Sequence, residues 1–190
     1  KDFQDLNQTT FYAPNTDSNI TDGILYLIIM VPEFMGSSAL ANLLASSPSV
    51  TTMCQKTKWQ CEPTWNLVNA GILIRDNRWQ PNSIDWYAAY EYYENISIWD
   101  DMTKPIRIEK APPNIVKYKQ LMEYFHTTNK SFMFISMKPD RCYVSRHRYD
   151  SIESVDLRLS QMEELEHNVP PQYIVSVNYT DMITNTNFFV

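Results

Sequence analysis

The feature that most constrains this chain is a short, unbroken apolar run that leads through a glycine turn into a leucine-rich segment. The run Ile24–Val31, with the sequence ILYLIIMV, shows no alternation of polar and apolar side chains. Such a run is typical of a strand covered on both faces, and it is far shorter than the roughly 20 residues that cross a membrane. Beyond Gly36 the leucines recur at helical spacing, and we expect Ser37 or Ser38 to cap the helix. The sequence therefore predicts strand, glycine turn and helix in that order, with no membrane span.

The same alternation of strands and helices continues along the chain. Apolar runs predict further strands at Ser49–Met53, Pro105–Lys110, Ser131–Met137 and Gln172–Tyr179. Helical patterns lie between them, at about Pro63–Leu73, at Ser83–Trp99, from Asn114 onward, and from Asp140 to about Glu166, with a short helix after the last strand. We therefore predict an α/β fold, a three-layer sandwich with a mainly parallel sheet. A single domain is expected over residues 1–190, with 1–22 as a poorly structured or peripheral N-terminal segment.

The overall charge argues against one class of partner. The chain carries a net charge of -6, so it has no global attraction to nucleic acid or to an anionic membrane, and we expect no nucleic acid partner. Any site for an anion must therefore be local. No spacing of histidines and cysteines matches a zinc site, so no metal is expected either. The oligomeric state stays open.

The cysteines and the asparagine triplets bear on the compartment. Cys54 and Cys61 are able to pair in a secretory lumen, but free and partly buried thiols are the interpretation that we favour. Triplets of the form Asn-x-Ser/Thr begin at Asn7, Asn19, Asn95, Asn129 and Asn178. They suit a secretory protein, but a chain rich in Asn, Ser and Thr also produces them by chance. The choice between cytoplasm and secretory-pathway lumen is therefore left open.

The loops that follow the strands are where a ligand is expected, because ligands of parallel sheets bind beyond the carboxyl ends of the strands. The Gly-Ser-Ser turn at 36–38 offers backbone N–H groups, two hydroxyls and the positive end of a helix dipole to a phosphate or sulfate. It lacks the Gly-Lys-Ser/Thr of a nucleotide-hydrolysing P-loop, whose lysine reaches the terminal phosphates. Taken alone, this turn is more simply a link between strand and helix.

Two further segments place charge in the other loops. The stretch 137–151 concentrates basic side chains, and Arg141 and Ser145 fall on one helical face that suits a phosphate, although a solvated helix face is the alternative. At the end of another strand, Glu109 is a possible base and Lys110 a possible stabiliser of developing charge, with an exposed ion pair as the alternative. Neighbouring residues of a strand point to opposite faces of the sheet, so a single site contains both Glu109 and Lys110 only if the strand ends before them.

Four segments, taken in order, resemble the sulfotransferases that use 3′-phosphoadenosine 5′-phosphosulfate, a family with a P-loop NTPase-like α/β fold. GSSALANLLASSPSV resembles the family's phosphosulfate loop and first helix, and IEKAPPNIVKYKQLMEYF is similar to its Lys-x-Pro-x-Asn segment. FMFISMKPDRCYVSRHRY resembles the strand, loop and serine-bearing helix that hold the nucleotide 3′-phosphate. VNYTDMITNTNFF resembles a later element that includes a short helix.

The resemblance implies transfer of a sulfuryl group from 3′-phosphoadenosine 5′-phosphosulfate to a hydroxyl or amine of a carbohydrate, protein or small-molecule acceptor, with no metal. The residues that it implies for binding the donor are Gly36, Ser37, Ser38, Ala39, Lys138, Arg141 and Ser145. The residues that it implies for the transfer are Lys110 as electrostatic stabiliser and, as competing candidates for the base, Glu109, Glu62 and Glu33.

One departure from the family pattern motivates the first of two alternatives. The family carries a basic residue shortly before the glycine, where this chain has Pro32, Glu33, Phe34 and Met35. The first alternative is a degenerate sulfotransferase-like domain that binds nucleotide or a sulfated ligand without turnover. The second, a nucleotide or small-molecule kinase, is disfavoured by the missing Gly-Lys-Ser/Thr.

The aromatic stretch Trp79–Trp99 has two interpretations. It is either a surface on which an acceptor sugar or an aromatic peptide side chain stacks, or part of the core. We favour the core, because aromatic side chains bury large apolar areas.

Overall fold

The computed structural model describes residues 23–33, 35–55, 57, 61–138 and 152–178, and within them five strands form one sheet of order β2-β3-β1-β4-β5. The strands are β1 (Leu25–Met30), β2 (Val50–Thr51), β3 (Ile106–Lys110), β4 (Ser131–Lys138) and β5 (Ile174–Asn178). Each of their pairings is parallel. The α/β class and the parallel sheet are therefore confirmed.

Helices cover both faces of this sheet. They are α1 (Ser37–Leu44), α2 (Thr64–Asn69), α3 (Trp86–Asn95), α4 (Tyr118–Thr127) and α5 (Ile152–Asn168). Short 3₁₀ turns lie at Arg75–Asn77, Pro112–Val116 and Pro171–Tyr173. None of the helices in the described ranges is long and apolar enough to cross a membrane.

The central strand β1 is buried on both sides, as its unbroken apolar sequence predicts. Tyr26, Ile28 and Met30 belong to a core shared with α3 and α4, whereas Ile29 and Val31 belong to a second core shared with α1. Successive side chains of a strand point to opposite faces, so one apolar run supplies two cores. The sheet is thus the middle layer of three.

The order of the strands creates a switch point between β1 and β4. From β1 the chain runs toward β2 at one edge of the sheet, and from β4 it runs toward β5 at the opposite edge. β1 and β4 are direct neighbours, paired from Leu25 with Ser131 to Met30 with Ser136. In open α/β sheets, the crevice between two such diverging connections is where ligands bind. Both loops predicted to bind the donor follow these two strands.

Several predicted elements are shorter than the sequence pattern indicates. β2 comprises only Val50–Thr51, and at the next residue the backbone carbonyl of Thr52 accepts from the Asp100 N–H at 2.8 Å, outside β3. The helix expected from Asn114 begins at Tyr118. Asn114 lies instead inside the 3₁₀ turn that the two prolines open. The predicted segments 1–22 and 179–190 and the helical start at 140–151 lie outside the described residues.

The expectation of free thiols at Cys54 and Cys61 is wrong, because these cysteines form a disulfide. The chain turns back on itself here: the Thr57 N–H donates to the Met53 carbonyl at 3.0 Å, and Cys61 has a left-handed φ of 66°. Spacing along the sequence does not reveal such a turn. The disulfide fits an oxidising compartment, since disulfides are rare in the cytosol of most organisms.

Breaking this disulfide is expected to destabilise the fold. Replacing both cysteines (Cys54→Ser with Cys61→Ser) should lower the free energy of unfolding by about 2 kcal/mol, because the unfolded chain loses a short closed loop. Urea denaturation measures the change. A reductant should destabilise the native protein and leave the double variant unchanged; equal sensitivity of the two would contradict the assignment.

Candidate functional site

The turn at the carboxyl end of β1 contains the glycine that the sequence singled out. Gly36 has a left-handed backbone with φ 89° and ψ 7°, a conformation that costs a glycine little. Gly36 is itself the N-cap of α1, and no side chain caps the helix, so the expected serine cap is wrong. Ser37 is buried, Ser38 is partly exposed and Ala39 is exposed in the first turn. The first N–H groups of a helix have no intrahelical acceptor, so this turn offers donors at the carboxyl end of the sheet.

Lys110 lies at the same end of the sheet as this turn. It is the last residue of β3, pairs in register with Ile29 of β1, and is 4% exposed. Ile108, two residues earlier, packs in the core under α1, so strand alternation turns Lys110 toward the α1 face as well. Burial lowers the pKa of Lys110, the Glu62 carboxylate opposes that shift, and the Arg78 guanidinium adds to it. Lys110 is thus a partly desolvated cation at the carboxyl end of β3.

Glu62 and Arg78 bring further charge to the same end of the sheet. The Arg78 Nη2 donates to Glu62 Oε1, and the Thr64 hydroxyl donates to the same oxygen at 2.7 Å. Both charged side chains are largely buried, at 17% and 11% exposure. Glu62 is therefore occupied as the partner of Arg78, which limits its freedom to act as a base.

Glu33 lies in the turn between β1 and Gly36. Burial raises its pKa above the ordinary value of a glutamate, and the positive charges of Arg158 and Arg78 oppose that shift. A carboxylate with a raised pKa is a stronger proton acceptor than an ordinary surface glutamate. Of the proposed bases, Glu33 is the one placed in the glycine turn itself.

Five charged side chains thus interact electrostatically at the carboxyl end of the sheet; we call them the charged cluster. Its members are Glu33, Glu62, Arg78, Lys110 and Arg158. Three basic against two acidic side chains leave it a net charge of +1, on a chain whose overall charge is -6. The cluster is therefore locally suited to an anion.

Glu109 lies away from this cluster. It is fully buried on the opposite face of β3, where it accepts hydrogen bonds from the Tyr90 hydroxyl at 2.6 Å and from Asn114 Nδ2 at 2.9 Å. Burial raises its pKa, and the two hydrogen bonds oppose the shift. Because β3 continues through Lys110, the strand separates the two neighbouring charges. Glu109 has the surroundings of a structural acid within the core.

Sequence reasoning missed the arginines of the charged cluster and one buried lysine. Arg78 and Arg75 stack on the Trp65 ring, with guanidinium carbons 4.7 and 5.5 Å from its centre. Arg158 stacks on Trp79 at 3.4 Å. Lys117 is buried, which lowers its pKa to about 8, and its Nζ donates to Ser83 Oγ at 2.9 Å and to the Gln80 carbonyl. No local motif marks these residues, because their partners are distant in sequence.

Some of the predicted donor-binding residues are not described. Lys138 is the last residue of β4, so its backbone lies at the carboxyl end of the strand that neighbours β1. Arg141 and Ser145 lie outside the described residues. Their role in binding a 3′-phosphate therefore stays a prediction.

The aromatic stretch belongs to the core, which is the interpretation that the sequence favours. Trp86, Tyr90, Tyr93 and Trp99 are each at most 4% exposed and pack with the sheet, whereas Tyr87 is 56% exposed. Tyr90 stacks on Tyr124 of α4 with ring centres 4.7 Å apart. This stretch joins α3 to α4 and does not form an open stacking surface.

The comparisons with known proteins identify no family. No protein-family model matches this sequence, and no curated protein sequence matches it. Solved structures with a similar fold include a tunicamycin resistance protein of Deinococcus radiodurans. It has 15% sequence identity and a TM-score of 0.44, and the match covers 82% of this chain and 86% of that chain. A sulfotransferase domain of the curacin biosynthetic pathway has 11% sequence identity and a TM-score of 0.45, and the match covers 86% of this chain and 69% of that chain.

A gluconokinase of Sinorhizobium meliloti 1021 is similar to the same extent. It has 16% sequence identity and a TM-score of 0.43, and the match covers 81% of this chain and 82% of that chain. These low scores carry no argument about function. Among the residues that the structure describes, no group of three His, Cys, Asp or Glu side chains could hold a metal ion.

The buried acid Glu109 gives a pH-dependent prediction. Its folded-state pKa is raised above the ordinary value of 4.5, so the folded protein binds this proton more tightly than the unfolded chain does. Its contribution to the free energy of unfolding is therefore present at low pH and lost as pH rises through the folded pKa. The loss is about 1.4 kcal/mol for every tenfold difference in proton affinity between the folded and unfolded states. Glu109→Gln should abolish this loss of free energy of unfolding with rising pH.

Urea denaturation of both proteins between pH 4 and pH 8, roughly the range of carboxyl titration, tests this. The stability of Glu109→Gln relative to the native protein should rise with pH. Glu123→Gln, which removes the carboxyl of an exposed glutamate of α4, is the matched control. A pH-independent difference for Glu109→Gln would contradict the assignment.

Proposed function

We propose that this chain is a sulfotransferase that moves a sulfuryl group from 3′-phosphoadenosine 5′-phosphosulfate to a hydroxyl or amine of a carbohydrate, protein or small-molecule acceptor. The observation that carries the proposal is the left-handed Gly36 turn at the switch point, with the buried cation Lys110 at the same end of the sheet. A glycine there lets an anion approach the backbone N–H groups, since a Cβ would obstruct it. The resemblance of four ordered sequence segments supports the same donor.

The two ends of the donor fit the two connections that diverge at the switch point. On this proposal, the turn after β1 binds the phosphosulfate through Gly36, Ser37 and Ser38. The loop after β4 binds the 3′-phosphate through Ser145 with Lys138 or Arg141. β1 and β4 are adjacent and parallel, so their carboxyl ends lie side by side and one nucleotide is able to reach both loops.

The proposed reaction is an in-line displacement at sulfur. The acceptor oxygen or nitrogen forms a bond to sulfur while the bond between sulfur and the bridging phosphate oxygen breaks, leaving adenosine 3′,5′-bisphosphate. Lys110 and Arg78 would stabilise the charge on the sulfuryl oxygens, and Glu33 would accept the acceptor's proton. Arg78 would then supply the positive charge that the family carries just before the glycine.

Loss of either cation should reduce turnover. Lys110→Met and Arg78→Met are each expected to lower the turnover of labelled donor by about 100-fold, the usual effect of removing one electrostatic stabiliser. Lys104→Met is the matched control, because Lys104 precedes β3 at the other end of the sheet. Arg78→Lys should recover part of the loss, which distinguishes lost charge from damaged packing. Equal activity of Lys104→Met and Lys110→Met would contradict the proposal.

Binding and turnover separate the enzyme from its degenerate alternative. We expect adenosine 3′,5′-bisphosphate to bind in calorimetry and labelled donor to turn over with a pool of glycans and peptides. Binding of the bisphosphate without any turnover of donor would favour the degenerate domain. If the enzyme is active, Glu33→Gln should still bind the bisphosphate but should lose turnover. No binding would reject both, and magnesium-dependent consumption of ATP would point to the kinase.

A further inference from the structure

The amino end of the sheet, opposite the candidate site, is closed by a compact polar network. The Tyr26 hydroxyl donates to Glu94 Oε1 at 3.1 Å and accepts from Arg107 and Lys130, each at 3.3 Å. Arg107 also donates to Glu94 at 2.6 Å. Tyr26 and Arg107 are the second residues of β1 and β3, so this network fixes the positions of Glu94 and Lys130 at the amino end.

Two Asn-x-Ser/Thr triplets are next to this network in the sequence. Asn95 follows Glu94 as the last residue of α3, and Asn129 precedes Lys130 in the turn before β4. Both asparagines are exposed. The neighbouring Ile96 is 43% exposed, an apolar side chain left in solvent beside the first triplet. The two triplets therefore lie on turns at one end of the protein, where an enzyme has access to them.

We propose that Asn95 and Asn129 carry N-linked glycans. The triplets alone are common by chance, but here they occur together with the Cys54–Cys61 disulfide, which is typical of the same compartment in which such glycans are added. Ser97, the third residue of the first triplet, has a left-handed φ of 47°. The residues that adopt this conformation most readily are glycine and asparagine. The backbone therefore does not explain why position 97 is a serine, whereas a glycosylation triplet does.

The location of both glycans leaves the candidate site open. The Gly36 turn and Lys110 lie at the carboxyl ends of β1 and β3, whereas Asn95 and Asn129 lie before the amino ends of β3 and β4. A glycan on either asparagine therefore extends away from the charged cluster. This inference does not depend on the proposed function.

The modification is a balanced group transfer. The Nδ2 atom of the asparagine forms a bond to the anomeric carbon of an oligosaccharide carried on a lipid diphosphate. The bond between that carbon and the phosphate oxygen breaks, the lipid diphosphate leaves, and the amide loses one proton to the transferring enzyme.

Mass spectrometry of the protein from the cells that make it tests the proposal directly. Peptide N-glycosidase in ¹⁸O-water converts a glycosylated asparagine to labelled aspartate, and we expect the label at Asn95 and Asn129. Asn82 is exposed but lies in no triplet, so it should remain unlabelled. Recovery of both triplets as unmodified peptides before the glycosidase treatment would overturn the proposal.

Variants expressed behind a secretion signal in a eukaryotic host separate glycosylation from folding. Asn95→Gln and Ser97→Ala should each remove the same single glycan from the protein, and Asn129→Gln and Ser131→Ala should each remove the other. Asn82→Gln should leave the mass of the attached glycans unchanged. A glycan that persists in both variants of one triplet would overturn that site.

Discussion

The parallel pairing of β1 between β3 and β4 is the constraint on which the rest of the structure depends. It buries both faces of β1, and this is why the strand has the apolar sequence ILYLIIMV. Parallel pairing also brings the carboxyl ends of the three strands together. The Gly36 turn, which follows β1, and Lys110, which ends β3, therefore lie at the same end of the sheet although they are far apart in sequence.

The sheet also divides the polar chemistry of the molecule between its two ends. At the amino end, Tyr26, Glu94 and Arg107 hydrogen-bond to one another, and Tyr26 and Arg107 are buried. At the carboxyl end, Lys110 is partly desolvated, and burial shifts its pKa. Buried polar networks help to specify one packing, whereas side chains whose pKa values are shifted by burial are often found at functional sites.

The sequence predicts the fold well where the signal is local. The unbroken run before Gly36 indicates a strand covered on both faces, and the structure has β1 there at Leu25–Met30. Prediction fails where contacts distant in sequence decide. The Cys54–Cys61 pair depends on a turn, and the role of Asn114 as a buried donor to Glu109 depends on the strand beside it. Neither relation is visible in spacing or periodicity.

The candidate site shows the same division. The glycine turn and Lys110 are found by motif, but Arg78 and Arg158 reach the site from distant segments and belong to no local pattern. The departure at Glu33 therefore has a physical resolution. A carboxylate beside an anion-binding turn opposes binding unless a cation neutralises it, and here two arginines act on that carboxylate. If the proposed function holds, the positive charge missing before Gly36 has been relocated in the sequence, because electrostatic stabilisation depends on where a charge lies in space.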